Sequence, residues 1–201
     1  MNESLLDATE GALTDNEDKT AVTFLAGPLF KEAKGAVHYL EVFDPTLRQG
    51  AQTFGYRDAA QALIDLIIER PQEANRTLLH PILFLYRHSV ELRLKHMIAE
   101  YGLGSPNLDH KLKGLWNTFK VIAKQHAIKE ELDKAGRLID ELHTVDENSQ
   151  AFRYATDREG GAFEFKFEAV DLMNLRKQMD DLDTFFFGLE AVMDEWRRNA
   201  S

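Results

Sequence analysis

The sequence predicts an all-α fold: an antiparallel bundle of about five helices with a short β element and an irregular N-terminal arm. Three observations lead there. Apolar residues recur at three- and four-residue steps over several long stretches from Phe54 onward. Proline, glycine, Asn and Asp separate those stretches at the places where helices start and stop. Strict alternation of apolar and polar residues occurs in one short segment, with Phe163, Phe165 and Phe167 between Glu164, Lys166 and Glu168.

Residues 1–20 are acidic, poor in aromatics and rich in turn formers, which predicts a solvated tail. Residues 21–201 are read as a single domain. AVTFLAGPLF and AVHYLEVF, ending before Pro45, mix β-branched and aromatic residues without clean alternation and are read as short strands or a packed arm. From Phe54, residues Ala59, Ala60, Leu63, Ile64, Ile67 and Ile68 trace a helix that Arg70-Pro71 stops. A second helix starts near Asn75 and runs to Gly102 and Gly104, with Pro81 either kinking or dividing it. Asn107 or Asp109 is placed to cap a third helix carrying Leu112, Leu115, Trp116, Phe119, Val121 and Ile122. A fourth, from about Ile128, carries Leu132, Leu138, Ile139, Leu142 and Val145 towards Phe152. The last, from about Asp171, sets Leu172, Leu175, Met179, Leu182, Phe185, Phe186, Leu189, Val192 and Trp196 on one stripe.

Composition excludes several chemistries. The chain has no cysteine, so it has no disulfide, thiolate nucleophile or thiolate metal site. A formal charge of -10 and a pI near 5.2 oppose indiscriminate binding to nucleic acid and leave room only for a local basic pocket. No stretch reaches the roughly 20 apolar residues that cross a bilayer, and the acidic start does not resemble a secretory leader, so a cytoplasmic location away from membranes is expected. Among the seven histidines only Asp140-x-x-His143 resembles half of a helical metal motif. No metal site or cofactor is read from the sequence.

The segment YRHSVELRLKH, residues 86–96, carries the most information about function. Projected at about 100° per residue, Leu83, Tyr86, Val90, Leu94, Met97 and Tyr101 form the main apolar stripe, with Leu85, Leu92 and Ala99 nearly opposite. Ser89, Arg93, His96 and Glu100 fill the widest remaining gap and are expected to face solvent. Arg87, Glu91 and Lys95 instead follow a seam that the bundle should partly enclose. Burying charge costs several kcal/mol unless it is paired, so the ladder needs a reason. Either the three groups satisfy one another one turn apart, or they line a polar pocket for an anionic or nucleotide-like group.

Other residues carry two readings each. His110, after Asp109 at a helix start, either caps that helix or belongs to a site. Asp146 and Arg153, seven apart, are two turns apart on one helix face, the spacing of a structural ion pair. Trp116, Trp196 and Phe185 to Phe187 follow helical spacing without interleaved basic residues, which fits core or dimer surface better than base stacking.

LFLYRHSVELRLKHMI, then DHKLKGLW, then LIDELHTVDENSQAFRY resemble the HEPN superfamily, the higher eukaryotes and prokaryotes nucleotide-binding domains. The resemblance rests on Glu91, Leu92, Leu94 and Lys95, then His110 and Leu112, then Asp146, Arg153 and Tyr154. It implies a helical bundle over roughly residues 54–198, frequent homodimers, and a ligand site of Arg87, Glu91, Lys95, His110, Asp146, Arg153 and Tyr154 for a nucleotide, RNA or a cognate partner protein. It also implies a setting in bacterial defence or toxin-antitoxin systems. Many members cleave RNA without metal through an Arg followed by four to six residues and a His. Here Arg158, Glu159 and Gly160 stand where that His would follow Arg153, and Glu cannot replace an imidazole as acid and base without a different mechanism. Binding is therefore expected ahead of catalysis. The alternatives are a metal-independent endoribonuclease with a non-standard site, in which His88 or His110 takes part, and a non-catalytic interaction module.

Overall fold

Proline has no backbone N–H and a φ fixed near the helical value, so it suits the first position of a helix. The first helix, α1, begins at such a residue and spans Pro45–Glu69, nine residues earlier than the apolar periodicity alone indicates. The polar run TLRQGAQT hides that first part. In this computed structural model the described residues are 45–71, 77–102, 108–126, 129–157, 159–163, 165 and 167–200. All lie in one unit, Val42–Ser201. The acidic tail and the expected N-terminal arm, up to residue 44, lie outside them.

Four more helices follow: α2 (Leu79–Tyr101), α3 (Leu112–Ala123), α4 (Lys129–Val145) and α5 (Leu172–Ala200). Pro81 is the third residue of α2, in the first turn, where backbone N–H groups have no helical acceptor in any case; α2 is undivided. Gly102 closes α2 by donating its N–H to Ile98 O at 2.9 Å. Asp109 precedes α3 and accepts the Lys111 N–H at 2.9 Å, while Lys111 itself is the residue before the helix. Asp171 caps α5 by accepting the N–H groups of Met173 and Asn174, each at 3.0 Å.

Ion pairs and hydrogen bonds between helices fix their directions. Along α1 and α5, Arg57 meets Asp183, Gln61 meets Asp180 and Asp65 meets Arg176, so these two helices run antiparallel, one turn per contact. Lys113 with Asp140 and Lys120 with Asp133 set α3 antiparallel to α4. Between α2 and α5 the order is the same on both, Arg93 with Glu190 and Tyr101 with Asp194, so they are parallel. The lead-in to α3 lies beside Arg87, and Ile122 near its end lies beside Gly102, so α3 also follows α2. The core packs Tyr86, Val90, Leu94 and Met97 of α2 against Leu112, Leu115, Trp116 and Phe119 of α3, Ile139 of α4, and Leu182, Phe186 and Leu189 of α5. Each such side chain contributes about 1.5–3 kcal/mol on leaving water.

Three expectations need correction. Ser89 and Arg93 do not face solvent: Arg93 is 4% exposed, because α1 and α5 cover that face. Its guanidinium lies over the Phe187 ring at 4.6 Å and the Phe54 ring at 5.4 Å and donates to Glu190 Oε2 at 2.6 Å. The apolar stripe of α5 does not reach its end inward, since Met193 is buried where Val192 and Trp196 stand exposed. The Phe163–Phe167 alternation forms no strand among the described residues. What forms is a single antiparallel bridge, Thr156 with Ala162, closed by a turn at Gly160 (φ 86°) and by Asp157, whose Oδ1 accepts the Glu159 and Gly161 N–H groups. Beyond the bridge, Phe165 leaves the hairpin and packs on Phe152 and His80.

Candidate functional site

Three segments meet at the middle of α2: the lead-in to α3, the end of α4, and the turn after α4. Arg87 joins them. It is 0% exposed, and its guanidinium donates from Nη1 to Glu91 Oε2 (3.1 Å), from Nη2 to the His110 carbonyl (2.8 Å), and from Nε to the Asp146 carbonyl (3.0 Å). Asp146 Oδ2 is 3.4 Å from the same Nε, and Asp146 Oδ1 accepts the Gln150 and Ala151 N–H groups at 2.6 and 3.0 Å. A planar fork can reach three directions at once, which a lysine at this position cannot. The location also favours a cation, since the end of α4 presents unpaired carbonyls.

Glu91, 1% exposed, is the second hub. Its Oε1 accepts Lys95 Nζ at 3.0 Å and lies 2.6 Å from His110 Nδ1. Burial alone pushes the Glu91 carboxyl up, but the hydrogen bonds from Lys95 and His110, with their charge, reverse this and hold it below the usual range. Glu91 is thus an ionised carboxylate inside the bundle. Lys95 is half-buried and the His110 side chain is 71% exposed, so the network opens to water only at these two groups.

Glu91 bonds Arg87 and Lys95 one turn to either side, as the first reading of the ladder expects, while the buried Asp146 Oδ2 has only its 3.4 Å ion-pair contact with Arg87. Two positive and two negative side chains, Arg87 and Lys95 with Glu91 and Asp146, cancel.

Arg153 and Tyr154 are placed differently. The expected Asp146–Arg153 ion pair does not form, because α4 ends at Val145 and the two residues no longer share a helix face. Ser149, at φ 58°, turns the chain instead. Arg153 Nε donates to Ser149 O at 2.6 Å, and its guanidinium lies 5.3 Å from the Tyr154 ring and 6.0 Å from the Phe84 ring. Both residues are at the surface. Phe84 ties them to the network: Phe84, His88, Glu91 and Lys95 lie within about 60° of one another around α2. The His88 ring stacks on Phe84 (5.5 Å between centroids) and meets the Tyr56 edge at 4.6 Å, with its imidazole held below the usual value mainly by burial. Five of the seven expected site residues, Arg87, Glu91, Lys95, His110 and Asp146, thus form one connected cluster, while Arg153 and Tyr154 flank it.

An open depression of about 500 Å³ adjoins His110, lined by Asp109, Lys111, Asn148, Gln150, Asp157 and Glu159. The sequence reading named none of the last four as site residues. Asn148 and Gln150 stand in the turn that Asp146 organises, and Asp157 and Glu159 in the hairpin that follows it. Among the described residues no group of three or more His, Asp or Glu side chains is arranged to hold a metal, and no helix is long and apolar enough to cross a membrane.

No family model matches the chain, and neither a curated protein nor a solved structure is significantly similar to it.

Proposed function

We propose that the chain is a HEPN-like helical domain that binds a nucleotide or RNA, as a homodimer, through the exposed rim of the α2 network. Lys95 and His110 contribute at one side, Arg153 and Tyr154 at the other. One observation carries this reading: ionisable groups from three segments converge on α2, and only Lys95 and His110 of that cluster reach water. Arg87 is too deeply buried to touch a ligand, and its part is to hold the three segments together. The charges inside cancel, so affinity must come from the rim, where stacking on an aromatic such as Tyr154 adds about 1–3 kcal/mol per base.

A thermal-shift series against nucleotides and short single-stranded RNA tests the reading. A ligand at about a hundred times its dissociation constant adds about 2.7 kcal/mol, or about 5–10 °C in a chain of this size. Absence of a shift with every nucleotide and RNA removes the binding reading and leaves an interaction module whose ladder fixes helix register.

A second reading, a metal-independent endoribonuclease with a non-standard site, is favoured by the 2.6 Å contact between Glu91 and the exposed His110 ring, since a carboxylate-oriented imidazole suits acid–base work. It requires RNA fragments in the presence of a chelator and their loss in His110→Ala.

A further inference from the structure

We propose that Glu91 is a positioning residue that fixes the proton of His110 on Nδ1, so that the site offers Nε2 to its ligand as a hydrogen-bond acceptor. The partner it takes is then a hydroxyl or amino donor, such as a ribose hydroxyl or the exocyclic amine of a base, in preference to a phosphate. The choice of a nucleoside as ligand rests on the nucleotide reading above. The positioning role does not.

Two groups compete for Nδ1. Glu91 Oε1 is 2.6 Å away and Lys95 Nζ is 3.5 Å away. A carboxylate oxygen and a ring nitrogen come that close only with a proton between them, and the carboxylate has none to give because it is ionised. The proton is therefore on Nδ1. Lys95 spends its own proton on the same carboxylate at 3.0 Å. Glu91 cannot rotate away, because Arg87 holds its other oxygen at 3.1 Å. A neutral imidazole protonated on one nitrogen accepts at the other, and here that nitrogen belongs to a ring that is mostly in solvent.

The surroundings of Nε2 match. The depression beside His110 is bordered by the carboxylates of Asp109, Asp157 and Glu159, whereas the ammonium of Lys111 lies 3.6 Å from Glu147. A phosphate seated there faces an excess of like charge; a hydroxyl or amine faces acceptors.

Side-chain ¹⁵N NMR of the full chain at about pH 8.5, above the ordinary imidazole range, reads the proton directly, with His110→Ala identifying the resonances. The expected wild-type spectrum has His110 protonated on Nδ1 and bare on Nε2. In Glu91→Gln the Lys95 ammonium becomes the donor to Nδ1 and the population moves toward the Nε2–H form. A wild-type ring protonated on Nε2 overturns the inference even if Glu91→Gln fails to fold. Adenosine is expected to move the Nε2 resonance and inorganic phosphate to leave it unmoved; a response to phosphate alone overturns the acceptor preference. The expected tautomer with no response to adenosine or any nucleotide keeps the positioning role and removes the nucleotide reading.

Discussion

Arg87 Nε donates to the backbone carbonyl of Asp146 at 3.0 Å, so the middle of α2 carries the end of α4 across 59 residues of sequence. With the bonds to Glu91 and the His110 carbonyl, the guanidinium is the only buried cation bridging these segments among the contacts described. Arg87→Met leaves two buried carboxylates without it. Breaking such a pair costs about 3–5 kcal/mol, and the melting temperature is expected to fall by about 6–20 °C. Arg87→Lys should recover only part of this, since one ammonium cannot serve three acceptors. Urea unfolding of the three proteins measures it, and a loss below about 1 kcal/mol for Arg87→Met contradicts the account.

Acid is expected to weaken the fold in two steps. His88 and His143 are both held below the ordinary 6.5, in each case first by burial, so the unfolded chain takes up those protons before the folded one does. Stability is full above that value and falls as pH drops through it. Glu91, held below the ordinary 4.5, gives the second step: its contribution is present above the unfolded value and lost as pH falls toward the folded one. Unfolding free energies at about pH 8, 5.5 and 3.5 should decrease in that order. His88→Gln should shrink the first decrease, leaving the share of His143. A flat profile between the two higher values argues against buried neutral imidazoles.

Much of this was legible in the sequence, and the exceptions share a cause. Periodicity locates α2, α3 and α5 within a few residues, because a core-facing stripe of Leu, Ile and Phe is a local property, whereas α4 stops at Val145 and does not continue towards Phe152. The four-residue spacing of Arg87, Glu91 and Lys95 likewise announced a connected ladder. Arg93 is expected in solvent because Ser89, His96 and Glu100, which share its face of the helix, are polar. Its burial depends on Phe54 and Phe187, which stand on other helices and reveal nothing in the sequence next to it. Asp146 and Arg153 failed as a pair for a related reason. Their spacing matters only inside a helix, and the left-handed turn at Ser149 is not marked by a glycine. The depression beside His110 is assembled by that turn and by the Asp157 hairpin, so it became visible only with the fold.

Two glycines should respond to alanine with opposite signs. In α4, a Cβ on Gly136 would stand 2.9 Å from Trp116 Nε1 and 3.4 Å from Cε2, against a ring locked in the core. The helix-propensity gain of about 1 kcal/mol meets an overpacking cost of about 1–3 kcal/mol, so Gly136→Ala is expected to destabilise. In α1, nothing lies within 4 Å of a Cβ on Gly55, and Gly55→Ala should stabilise by about 0.5–1 kcal/mol. Chemical denaturation of both variants checks the pair; stabilisation by Gly136→Ala would show that α3 and α4 pack less closely than described.

Lys95 separates fold from binding. Its ammonium is half-buried and bonds Glu91 at 3.0 Å, while Arg87 and His110 still contact that carboxylate when Lys95 is replaced. A partly exposed ion pair of this kind is worth about 1 kcal/mol or less, so Lys95→Met should lower the melting temperature by only about 2–4 °C. At the rim, however, Lys95 is the cation of the network that reaches water and can meet the phosphate of a nucleotide whose hydroxyl or amine meets His110 Nε2, so the thermal shift produced by a nucleotide in the wild type should shrink several-fold. Comparison with Arg87→Met makes the assignment: one variant loses ligand response with little loss of stability, the other loses mainly stability. An undiminished nucleotide response in Lys95→Met would move the phosphate contact away from α2, to the Arg153–Tyr154 side.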